Sequence, residues 1–157
     1  MTENKKVFCC LLLMLVTTCT VTAQDARQRW VDSVFQSMNQ NEKIGQLIFV
    51  RLSSYAPENY LQSLEKKVAV GEYGGVIFTS GSAGKQAGLT NLLQEKTAIP
   101  LLISQDASAG LGQVLDSAMT FPIPMAQGAL SRDSLVYWIA RETGRQMKAL
   151  GIHMSLS

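Results

Sequence analysis

Cysteine, histidine and charge of one sign are scarce in this chain of 157 residues, and each shortage removes a class of chemistry. All three cysteines, Cys9, Cys10 and Cys19, fall near the amino terminus. Around them, Lys5 and Lys6 precede a ten-residue apolar run from Val7 to Val16, and a polar stretch ends in Thr20-Val21-Thr22-Ala23. That is the layout of a secretory signal peptide, with small or β-branched residues three and one before a cut after Ala23. The run is too short for a membrane-crossing helix, which needs about 20 apolar residues. The expected organisation is a signal peptide over residues 1–23 and one mature domain over residues 24–157. The product is exported to the periplasm or beyond and has no membrane attachment after cleavage. Acylation of Cys19 would give a lipoprotein instead, but Thr17 and Thr18 before it suit that processing poorly.

With the leader removed no cysteine remains, so a disulfide framework, a thiol nucleophile and a thiolate metal ligand are all excluded. His153 is the only histidine. A zinc site is therefore not expected, and His153 reads as packing within an apolar strand. Losing Lys5, Lys6 and Glu3 leaves 12 basic and 11 acidic residues, without a basic cluster. Neither nucleic acid nor an anionic membrane has electrostatic support as a partner. A neutral or weakly charged ligand is the natural expectation, with no cofactor and no metal.

What the chain does have is an alternation of helical pattern and short apolar strand. Trp30, Val31, Val34, Phe35 and Met38 make one face of a helix over 25–38. Asn39 lies three before Glu42, a capping-box spacing for a helix carrying Ile44 and Leu47. Strands are expected at 48–52, at Val76-Ile77-Phe78 after Gly74-Gly75, at Leu101 to Ser104 after Pro100, and from Ile152 to Leu156. Helices are expected over 60–70, 85–96 and 133–150, with Gly151 as the left-handed residue ending the last. Strands without polar alternation are expected to be buried on both faces, as in parallel sheets covered by helices. The βα alternation gives either a doubly wound sheet or a barrel, and periodicity alone does not choose.

Two glycine-bearing segments imitate ligand motifs. Thr79 to Gln86 follows a strand and opens a helix, but a phosphate loop requires glycine where Thr79 stands and Ser or Thr where Gln86 stands. It reads as a strand-to-helix turn. Gly110-Leu111-Gly112 lacks the third glycine of a dinucleotide fingerprint. Asp106 is a stronger candidate. It directly follows a buried strand, and the carboxyl ends of parallel strands are where such folds bind ligands. A carboxylate there can accept hydrogen bonds from sugar hydroxyls. An aspartate capping a turn through its own backbone is the alternative.

Five ordered blocks carry a family resemblance. They are Glu42-Lys43-Ile44-Gly45-Gln46-Leu47, Gly74 to Phe78, Ile99 to Asp106, Leu115 to Pro122, and Leu150-Gly151-Ile152-His153-Met154. In order and spacing the chain resembles glycoside hydrolase family 3, and within it the bacterial β-N-acetylhexosaminidase branch. The resemblance implies an α/β fold, a partial (β/α)8 TIM barrel comprising the first three to four βα units. It also implies hydrolysis of O-glycosyl bonds with retention, removing terminal β-N-acetylhexosamine from an amino-sugar glycan. Retention needs a carboxylate nucleophile and a separate acid/base. By resemblance both lie beyond Ser157, so residues 24–157 are an incomplete barrel domain with no catalytic residue of their own. Asp106 occupies the family's substrate-binding position. The departures are Ser108, where the family has glutamate, Val114, where it has arginine, and Ser155-Leu156-Ser157 in place of Asn-Phe-Ala.

Three readings follow. The first is the opening part of a family 3 hexosaminidase, inactive as this chain alone. The second is a non-catalytic half-barrel that binds or interacts, which Ser108 and Val114 favour. The third, a self-sufficient α/β enzyme of another family, lacks a second catalytic group near Asp106. An incomplete barrel also exposes strand edges, so self-association is expected.

Overall fold

The computed structural model of the protein describes residues 26–157. The expected leader, its cleavage point and the three cysteines lie outside the described residues. A helix α1 over 26–37 belongs to a compact unit that ends at Asn39, and the second unit runs from Gln40 to Ser157. On α1 the apolar residues Trp30, Val31 and Phe35 are exposed, while Val34 is partly buried.

The second unit opens with α2, Gln40–Gly45, and continues as β1, Phe49–Ser53; α3, Glu58–Ala69; β2, Gly75–Ser80; α4, Ala83–Lys96; and β3, Leu102–Gln105. A single 3-10 turn at Leu111–Gln113, the short α5 at Pro124–Gly128 and the long α6 at Asp133–Ala149 lead to β4, Met154–Ser155. The four strands are parallel and stand in the order β1-β2-β3-β4.

Register separates the sheet into two faces, because paired residues share a side and successive residues alternate. Leu52, Phe78 and Gln105 lie in one row, and Val50, Val76 and Ile103 lie in another row of the same face. That face forms a core with Leu64 and Val68 of α3 and Leu93 of α4, and Met147 of α6 packs against it. All three crossover helices therefore cover one side. A doubly wound sheet would carry helices on both sides and reverse its strand order. Sequential strands with helices on one side form an open sheet with the arrangement of part of an α/β barrel. The choice that periodicity left open is thereby made.

The other face corrects an expectation. Arg51, Ile77, Ser104 and Met154 share a row there, and Phe49, Gly75 and Leu102 share the next. Leu102 is 40% exposed, Arg51 is exposed, and Ile77 and Met154 are only partly buried. These strands are not buried on both faces within the described residues. Apolar runs state which residues tolerate burial, and the elements available to pack decide which face is filled. Glycine permits close approaches where β2 begins: a side chain at Gly75 would overlap the Phe49 ring of β1, and one at Gly74 would come 2.5 Å from Gln46 Cα.

The end of α6 follows the sequence closely. Gly151 has φ of 67°; its N–H donates to Lys148 O, and that of Ile152 donates to Met147 O at 2.9 Å. This is the paired Schellman pattern. Because Ile152 closes the helix, β4 begins two residues later than its apolar run, although Leu156 N still donates to Gln105 O at 3.0 Å.

Candidate functional site

Alternation along β3 decides what its two flanking polar residues do. Gln105 points toward the helices, where it is wholly buried and its Oε1 accepts from Gln86 Nε2 of α4 at 2.8 Å. Ser104 points to the opposite face, is itself wholly buried, and donates to Val76 O at 3.1 Å. Asp106, next after Leu102 and Ser104 in the alternation along the chain, leaves the sheet at its carboxyl end, partly exposed.

The segment after Asp106 folds back on it. Ser108 N donates to Asp106 Oδ1 at 3.0 Å, the Asx-turn geometry expected of the capping alternative. Gln113 Nε2 donates to Asp106 Oδ2 at 3.4 Å. The Oε1 of the same amide accepts from Ser108 Oγ at 3.0 Å and from Ala109 N at 3.2 Å. Ala107, Ala109, Leu111 and Leu115 are buried beneath this loop and hold it against the sheet. Val114 packs partly against the core, and its carbonyl accepts from Gly81 N at 3.2 Å. Asp106 thus keeps a neutral hydroxyl and a neutral amide as its neighbours. A cleft of about 370 Å³ adjoins the loop, lined by Ala107, Ser108, Gln127, Thr143, Met147 and Ser155 among others, but not by Asp106.

A second polar group joins the loops at the ends of β1 and β2 to the same segment. Tyr55 Oη donates to Asp116 Oδ2 at 2.7 Å, and Ser82 N donates to Ser54 Oγ at 3.0 Å. Lys85 Nζ stands 4.9 Å from the centre of the Tyr55 ring. The hydrogen bond to Asp116 raises the Tyr55 hydroxyl above its ordinary value, helped by desolvation and by the charge of that carboxylate. The Thr79–Gln86 segment is the turn from β2 into α4, and burial of Gln86 against Gln105 removes it from any phosphate role.

His153 is remote from this end. The ring Nδ1 accepts from Ile103 N at 2.9 Å, and the backbone N–H of His153 donates to Ile103 O at 2.8 Å. The ring completes strand pairing around Ile103, three residues before Asp106, roughly 10 Å along the strand. No group of three or more His, Cys, Asp or Glu among the described residues could hold a metal ion. Gln113 and the Tyr55–Asp116 pair were not singled out in the sequence; nothing in their local pattern marks them, since each acts across a fold-back or between distant loops.

A parallel sheet covered on one side, with its strands in sequential order, is the arrangement of part of an α/β barrel. Residues 39–157 match the glycosyl hydrolase family 3 N terminal domain, and the chain belongs to that family. It is 30% identical over 142 residues to a beta-N-acetylglucosaminidase/beta-glucosidase of Cellulomonas fimi, covering 90% of this chain and 24% of that protein. The chain thus spans about a quarter of the length of this relative. Among solved structures, beta-glucoside phosphorylase BglX bound to 2FGlc is 28% identical with a TM-score of 0.46, covering 53% of this chain and 14% of its own. Another structure of beta-glucoside phosphorylase BglX is 26% identical with a TM-score of 0.40, covering 53% and 13%.

Proposed function

We propose that this chain is the sugar-binding opening part of an exported family 3 glycosidase that removes terminal β-N-acetylhexosamine from glycans. Asp106 is its contact to the sugar. The observation that carries the reading is the position of Asp106, partly exposed at the carboxyl end of β3, with acceptor capacity left after its two hydrogen bonds. The likeness to a beta-N-acetylglucosaminidase/beta-glucosidase supports the choice of sugar. Retaining hydrolysis needs a carboxylate nucleophile and an acid/base besides the binding group. On this reading those two roles fall to residues other than Asp106.

Mechanistically, Asp106 accepts hydrogen bonds from ring hydroxyls and fixes the sugar's orientation. Such positioning lowers the entropic part of the barrier for groups supplied elsewhere. A sugar-binding module without catalysis is the second reading, favoured by the neutral residues at Ser108 and Val114, where family members carry glutamate and arginine. Titration of the full chain with N-acetylglucosamine, followed by amide NMR of residues 104–113, tests the sugar contact. Saturable shifts that vanish in Asp106→Asn are expected; identical shifts in wild type and variant remove the reading. Release of nitrophenol from a chromogenic N-acetylglucosaminide by this chain, above an Asp106→Ala control, overturns the assignment of the chemistry to other residues.

A further inference from the structure

We propose that Gln113 is a positioning residue that sets the direction in which Asp106 presents its carboxylate to a neutral sugar. The inference rests on the reading of Asp106 as the sugar contact. Gln113 touches both sides of the turn, through Asp106 Oδ2 on its amide nitrogen and through Ser108 Oγ and Ala109 N on its amide oxygen. Its orientation is fixed by chemistry. Only the oxygen can accept from the Ala109 N–H, so the NH2 group is turned toward the carboxylate.

A carboxylate offers about four acceptor sites, two on each oxygen. Ser108 N occupies one on Oδ1, and Gln113 Nε2 occupies one on Oδ2. Beyond these two bonds, one acceptor site on each oxygen remains. Those acceptors suit hydroxyl donors such as a pyranose ring offers. None of the three side chains in the network apart from Asp106 carries a charge, so nothing in it offsets the repulsion of an anionic sugar. The ligand class is accordingly a neutral glycone, with uronic or sulfated sugars disfavoured.

The test uses the full chain, with N-acetylglucosamine and glucuronic acid as probes and amide hydrogen exchange at Ala109 as the loop readout. Gln113→Met keeps the shape and removes all three bonds. Faster exchange at Ala109 and about tenfold weaker binding of N-acetylglucosamine are expected, the loss of one hydrogen bond to a charged group. Gln113→Glu retains an oxygen for Ser108 and Ala109 but turns a negative charge on Asp106. Exchange at Ala109 stays near wild type while sugar binding falls at least as far as in Gln113→Met, an outcome that a purely structural role does not produce. Unchanged binding in both variants, with Asp106→Asn inactive in binding, overturns the role of Gln113 and leaves the sugar contact standing. Preference for glucuronic acid overturns the ligand class. Absence of binding by wild type overturns the sugar reading itself, and this proposal with it.

Discussion

Gln86 Nε2 donates to Gln105 Oε1 at 2.8 Å between α4 and the last residue of β3, and neither side chain is exposed to solvent. The contact anchors the strand end from which Asp106 projects. It also leaves Gln86 Oε1 and Gln105 Nε2 buried without a partner. A neutral pair held this way contributes little net stability, but half of it is costly.

Gln105→Leu, which strands Gln86, is expected to destabilise the protein by about 1–3 kcal/mol. Replacing Gln86 by leucine as well is expected to restore most of that loss, because no buried amide is then left. Urea midpoints of the two single variants and the double variant measure the coupling. Losses that simply add would mean that the two amides do not act as a pair.

Gly151 carries the positive φ that turns the chain from α6 into β4. An added Cβ meets only Thr90 Cγ2, at 3.7 Å, so space is not the obstacle. Gly151→Ala is expected to cost about 1 kcal/mol through the left-handed backbone alone. Gly151→Asn, whose side chain tolerates that conformation, is expected to cost less. Thermal unfolding of the two variants checks the order, and equal losses would point to a packing cause.

The Tyr55–Asp116 contact gives a pH dependence at the alkaline end. Its folded-state hydroxyl is raised above the ordinary value of 10.0, first by the hydrogen bond to Asp116. A group whose folded pKa is raised contributes stability that is fully present below its unfolded pKa and is lost as pH rises through the folded one. The contribution is therefore intact up to about pH 10 and fades above it. Asp116→Asn removes the charge and is expected to bring the Tyr55 titration back toward the ordinary value. Ultraviolet phenolate difference spectra, with Tyr55→Phe identifying the band, read it directly. A Tyr55 titration unmoved by Asp116→Asn would show that the carboxylate is not the cause.

Much of the fold was legible because its signals are local. The apolar rows of β2 and β3, the glycine that ends α6 and the polar turn before α4 each depend on residues within a few positions. Asp106 was legible for the same reason, since the end of a strand is a local property. Its network was not. Gln113 reaches Asp106 through a loop shaped by the burial of Ala107, Ala109, Leu111 and Leu115, and Tyr55 meets Asp116 across 61 positions. The side of the sheet that stays open was equally out of reach, because Ile77 and Leu102 are as apolar as Val76 and Ile103. Only the placement of α3, α4 and α6 distinguishes them.

The strand order β1-β2-β3-β4 has a bearing on how the chain assembles. Each strand pairs with the one made just before it, so every pairing can form as soon as its second member arrives. The pairings still span 26 positions from Phe49 to Gly75 and 50 from Ser104 to Met154, and parallel pairing across such separations closes slowly. A chain delivered amino terminus first never has to hold an earlier strand open for a later one to insert. Such a sheet grows by addition at one edge, and the growing edge is β4.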